Sequence, residues 1–140
     1  MVKLFLVMIT LTVLFVMGCT TGGMATKTQA KILEDVSPDE VYKIIKKNGH
    51  NPDFKVLDVR TENEYRDGHL ADAVNIDFYS ESFRDELAAL DKDDTYVIYC
   101  RSGSRSGKTL LMMKELGFTH VYNITGGILN WRREGLPVVR

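Results

Sequence analysis

Seven consecutive residues, Cys100-Arg-Ser-Gly-Ser-Arg-Ser106, combine one thiol with two guanidiniums and four small residues. A thiol attacks as its thiolate, and a thiolate is favoured by nearby cations and by the unpartnered N–H groups at the start of a helix. The apolar run Tyr96-Val-Ile-Tyr99 comes just before and a helix-like stretch just after, so Cys100 is expected on a strand-to-helix turn. Small side chains allow the amides of Arg101, Ser102, Gly103, Ser104 and Arg105 to curl around one anion, and Gly103 supplies the positive backbone angle such a curl often requires. A cysteine that only packs needs none of this. The chemistry indicated is covalent catalysis by an activated sulfur nucleophile.

Alternating strands and helices are needed to hold such a turn, and the hydrophobic pattern supplies them. Strands are expected at Ile32–Val36, Phe54–Val59, Val74–Ile76, Tyr96–Tyr99 and His120–Ile124. Helices are expected at Pro38–Lys47, at Thr61-Glu-Asn-Glu64 and just beyond, at Glu81–Leu90, Ser104–Leu116 and Gly127–Glu134. Ser37 with Pro38 and Glu40, and Thr61 with Glu64, carry the spacing of N-terminal caps. This order implies an α/β fold with a parallel five-stranded sheet and helices on both faces, in which ligands bind beyond the carboxyl ends of the strands. Cys100 and Arg60 both fall at such ends. No internal repeat is visible, so a single domain over residues 31–140 is expected.

Several stretches in this order resemble the rhodanese, or thiosulfate sulfurtransferase, superfamily. They are Asp58-Val-Arg60, Glu64-Tyr65, Gly68-His69-Leu70 with Ala73-Val-Asn75-Ile76, the Cys100 loop, and Gly126-Gly127 followed by Trp131, Gly135 and Pro137-Val138. Asp72 departs from the pattern, which usually has glycine there and so leaves one local turn in question. The resemblance implies transfer of a sulfane sulfur through a persulfide on Cys100, from thiosulfate or a similar donor to a thiol or cyanide. The implied partners are thus a small sulfur-containing anion and a thiol or cyanide acceptor. No cofactor is implied. The alternative is a carrier or protein-binding module of the same fold that holds a persulfide without turnover.

Arg101 and Arg105 are placed to hold the anionic donor or departing sulfite by forked hydrogen bonds, although one of them could equally be engaged in a salt bridge. Asp58, Arg60 and Glu64 are read as a structural charge network at the rim. Phosphatases built on a cysteine loop have five residues between cysteine and arginine, whereas four separate Cys100 from Arg105 and Ser106 stands in the arginine's place. His69 reads as a hydrogen-bonded turn residue, because a preformed thiolate needs no base. His50 and His120 lack companions at metal-ligand spacing, so no metal is assigned. Trp131, Met112 and Met113 read as packing.

The chain has 140 residues, 44% of them hydrophobic, and a formal charge of −1. That suits one globular domain and does not suggest a nucleic-acid partner. Met1-Val-Lys3 and the apolar run Leu4–Met17 are too short for a spanning helix and read as an export leader, residues 1–18. Val16-Met-Gly-Cys19 resembles a bacterial lipobox, which implies lipidation at Cys19, a flexible linker over 19–30, and a domain anchored to a membrane face outside the cytoplasm. With Cys19 carrying lipid, Cys100 has no partner for a disulfide, since the chain holds two cysteines.

Overall fold

The computed structural model describes residues 30–140. The leader, Cys19 and all but the last residue of the linker lie outside the described residues. Five strands, β1 (Ile32–Val36), β2 (Phe54–Asp58), β3 (Ala73–Asn75), β4 (Thr95–Tyr99) and β5 (His120–Ile124), form one sheet in the order β1-β5-β4-β2-β3. Every pairing in it is parallel. Between and after them run α1 (Pro38–Asn48), α2 (Glu62–Arg66), α3 (Phe83–Ala88), α4 (Ser104–Glu115) and α5 (Gly127–Arg133).

The sheet is covered on both sides, and the two-residue period of a strand decides which side chain meets which layer. From β4, Tyr96 and Ile98 join Phe83, Leu87, Met113 and Phe118 in the layer closed by α3 and α4. Val97 and Tyr99 join Val41, Ile128 and Trp131 in the layer closed by α1 and α5. Cys100, the next residue along, continues the Tyr96–Ile98 parity and belongs to the first layer. The same alternation that packs β4 therefore turns the thiol towards the start of α4.

Strand and helix order agree with expectation, and the differences are local. Asp72 adopts φ 59°, the one residue other than glycine with positive φ among those described. This explains why glycine suits the position, because a side chain in the left-handed region crowds the backbone. The Ser37 hydroxyl does not cap α1; it donates instead to Asp39 Oδ1 at 2.7 Å and Glu40 Oε2 at 2.6 Å. Drawn towards the two carboxylates of the first turn, the hydroxyl oxygen is not oriented to accept from the helix amides. The helix expected at Glu81–Leu90 is confined to Phe83–Ala88, because Ser80 and Ser82 bond to each other and to neighbouring backbone in a turn.

Candidate active site

Cys100 leaves the carboxyl end of β4 and the chain turns into α4 through Gly103, whose φ of 96° lies in the left-handed region. That inversion brings the Gly103 N–H to 3.1 Å from Cys100 Sγ. The hydroxyl of Ser106, on the first turn of α4, stands 3.4 Å from the same sulfur. Ser106 itself is fully buried, so little else competes for its hydrogen beyond the Gly103 carbonyl at 3.4 Å. The residue Cys100 is only 1% exposed, and its sulfur faces donors instead of apolar side chains alone.

Burial pushes the Cys100 thiol up, but the Ser106 hydroxyl and the amides of Ser106, Gly103 and Ser102 outweigh it and hold the thiol below its ordinary value. Removing one donor must move it back up. Ser106→Ala is thus expected to shift the alkaline-rising limb of Cys100 reactivity to higher pH. Alkylation rate against pH checks this, and an unmoved limb would show that the hydroxyl contributes nothing to the thiolate.

The second half of the cradle comes from the far end of the chain. The carbonyls of Cys100 and Arg101 accept hydrogen bonds from Ile128 N at 2.9 Å and Leu129 N at 3.1 Å, in the first turn of α5. Turning these carbonyls away from the sulfur leaves the loop's amides on the sulfur side. Gly127 makes the approach possible: a methyl group there would stand 2.4 Å from Cys100 O and 2.6 Å from Arg101 O. Ser106 and this α5 turn were not singled out as site elements from the sequence. The buried serine has no local signal, whereas Gly126-Gly127 was visible as a motif without its task.

The two loop arginines differ. Arg105 makes a forked ion pair with Glu64, both contacts at 2.7 Å, and its guanidinium lies 5.6 Å from the centre of the Tyr79 ring. Arg101 is exposed, as are Ser102 and Ser104. The expected charge network is two separate pairs. Asp58 and Arg60, 0% and 3% exposed, face each other through contacts of 2.6 to 3.0 Å, and Arg60 Nη2 also donates to Gly68 O at 2.8 Å. Glu64 instead closes the capping box of α2 with Thr61 and reaches Arg105. His69 is a turn residue, with Nδ1 3.0 Å from Tyr65 O and its ring stacked on Tyr65 at 3.7 Å.

Arg105, with smaller help from Thr61, holds the Glu64 carboxyl down at about 2 against the opposing effect of burial. A carboxylate with a lowered value contributes stability above its ordinary 4.5, and that contribution fades as pH falls through about 2. The stability gap between the parent and Glu64→Gln is therefore expected to narrow across that window. Urea midpoints measured at several acidic pH values check it; a gap independent of pH would contradict the pairing.

The Rhodanese-like domain family matches residues 37–134, which spans every element from α1 to α5. A sulfurtransferase of Allochromatium vinosum is 37% identical over 87 residues, covering 62% of this chain and 79% of that one. A tRNA uridine(34) hydroxylase of Legionella pneumophila is 37% identical over 108 residues, covering 73% of this chain but only 40% of the hydroxylase. Among solved structures, a rhodanese-related protein of Thermoplasma volcanium superposes with TM-score 0.65 at 30% identity, covering 76% of this chain and 97% of that one. A rhodanese-like domain protein of Staphylococcus aureus gives 0.60 at 28% identity, covering 76% and 99%. With the doubly covered parallel sheet and the cysteine turn already in view, the matched span decides the matter: this chain belongs to the rhodanese-like domain family.

Proposed function

We propose that the protein is a sulfurtransferase that carries sulfur as a persulfide on Cys100. The observation carrying this reading is the donor set converging on Sγ, the Gly103 amide at 3.1 Å and the Ser106 hydroxyl at 3.4 Å, at the mouth of a parallel sheet. Cys100 thiolate attacks the outer sulfur of thiosulfate, the new Cys100 S–S bond forms, and the sulfur–sulfur bond of the donor breaks with its electron pair leaving on sulfite. An acceptor thiolate then attacks the terminal sulfur, takes it as its own persulfide, and returns the Cys100 thiolate; cyanide would leave as thiocyanate. The negative charge sits on Sγ at the start and returns to it when the acceptor takes the terminal sulfur, so donors already in place at Sγ stabilise it both as nucleophile and as leaving group.

Arg101, exposed beside the nucleophile and outside every ion pair among the described residues, is a cation that meets the incoming anion. Arg105, held by Glu64, contributes a fixed positive charge near the loop. Thiosulfate added to the full chain should raise its intact mass by one sulfur atom, and cyanide should discharge it as thiocyanate through many cycles. A protein that gains no sulfur refutes the reading, and one that gains it but discharges only once is a carrier. The leader reading adds an anchor at Cys19 and a location outside the cytoplasm, for which the intact mass of the membrane-extracted protein is the test.

A further inference from the structure

Beyond β3 the chain turns back across the carboxyl ends of the sheet, with Ile76 N donating to Asp58 O at 3.0 Å and Phe78 N to Val59 O at 3.3 Å. The next strand over is β4, tied in by Val59 N donating to Tyr99 O at 3.0 Å, so residues 76–79 border the turn that holds Cys100. Phe78 packs against the layer closed by α3 and α4, the layer of Cys100, with its ring 5.1 Å from that of Phe83. That puts it on the sulfur's side of the sheet and not on the side of α5. Tyr79 follows, its ring perpendicular to Phe78 at 5.5 Å and 5.6 Å from the Arg105 guanidinium. Arg105 directly precedes Ser106, whose hydroxyl stands at the sulfur. Glu64 above all, with the Cys100 thiolate in smaller measure, holds Arg105 above its ordinary value against burial, so the guanidinium beside Tyr79 feels the nucleophile's charge. Tyr79 is nevertheless 69% exposed, which leaves most of its ring open at the mouth.

We propose that Tyr79 determines donor specificity, its ring seating a planar apolar body carried by an organic sulfur donor whose polar end meets the loop's cations. The proposal rests on the sulfurtransferase reading and refines it by naming the donor class. A lone aromatic on a surface is ordinary. This one is braced on one side by Phe78, packed in the nucleophile's layer, and on another by a guanidinium fixed through Glu64. A braced ring loses little freedom when a second ring lies against it, and an aromatic contact adds to the area it buries. Thiosulfate, which has no carbon, leaves the ring unused. With an organic thiosulfonate the Cys100 thiolate bonds to the outer sulfur, the bond from that sulfur to the sulfonyl sulfur breaks, and its electron pair leaves on the sulfinate. The order along such a donor, reacting sulfur, sulfonyl group, apolar body, matches the order along this wall: Cys100, Arg105, Tyr79.

The test uses the full chain and two donors of equal charge, benzenethiosulfonate and methanethiosulfonate, with sulfur loading of Cys100 followed by intact mass. Taking the ratio of the two second-order loading rates in the parent and again in Tyr79→Ala cancels the difference in leaving group and any change in the thiolate. Tyr79→Ala is expected to lower the ratio about fivefold, the size of one aromatic contact, and Tyr79→Phe to keep most of it. Both donors slowing equally, or neither slowing, overturns the proposal, since a ring that only steadies Arg105 serves the two alike. A second readout needs no sulfur transfer: alkylation of the resting thiol by N-benzyliodoacetamide relative to iodoacetamide. If no donor loads sulfur while this relative rate still falls in Tyr79→Ala, the contact at Tyr79 stands and the sulfurtransferase reading fails. If sulfur loads and neither ratio moves, the sulfurtransferase reading stands and the donor assignment falls.

Discussion

Cys100→Ser leaves a folded protein that neither gains sulfur from thiosulfate nor yields thiocyanate. Oxygen replaces sulfur in a site that offers hydrogen-bond donors, so the Gly103 amide and Ser106 hydroxyl retain an acceptor and the loop keeps its shape. The hydroxyl, however, stays protonated at any pH the fold survives, and among the described residues no base bonds to the Cys100 side chain to remove its proton. Loss of a covalent nucleophile costs on the order of 10⁴-fold or more in turnover. Thiocyanate formation and intact mass read the loss, and circular dichroism reads the fold. A variant that keeps even a tenth of the parent rate would remove Cys100 from the mechanism.

Arg60→Met is expected to act on stability as severely as Cys100→Ser acts on turnover. Asp58 is completely buried, and Arg60 provides its neutralising charge along with its backbone N–H at 2.9 Å. A buried carboxylate stripped of its cation costs about 3–5 kcal/mol, because desolvation remains while the compensating attraction is lost. The same substitution frees the Gly68 carbonyl from its shorter partner and takes a cation from the Tyr99 ring, 5.6 Å from the guanidinium carbon. Urea unfolding should show the loss as a lower midpoint with an unchanged slope. Replacing both members, with Asp58→Asn added, should recover part of it, since no unpaired charge is then buried. A single variant within about 1 kcal/mol of the parent would show that water reaches this pair.

The features legible in the sequence were those whose cause is local. The apolar run of β4, the small-residue loop after it and the Thr61–Glu64 capping box each depend on residues a few positions apart. So the strand order in the chain, the turn holding Cys100 and the start of α2 could be read directly. What escaped depends on partners brought together by topology. Glu64 meets Arg105 across 41 positions, and nothing near either residue announces that one would remove the other from a charge network or from anion binding. Ser37 differs for a subtler reason: its spacing suits a cap, but Asp39 and Glu40 orient its hydroxyl towards themselves and away from the helix amides. Spacing states what a side chain can reach, and competition among acceptors decides what it bonds.

The bonds from Ile128 and Leu129 to the loop carbonyls make the nucleophile's setting answer to a helix that never touches the sulfur. Gly103 and Ser106 bring their donors from the loop and from α4, while α5 grips the opposite side of the same peptide groups. Any motion that lifts α5 off the loop frees the Cys100 and Arg101 carbonyls and loosens the amides with them. The final helix is thus a clamp applied from behind.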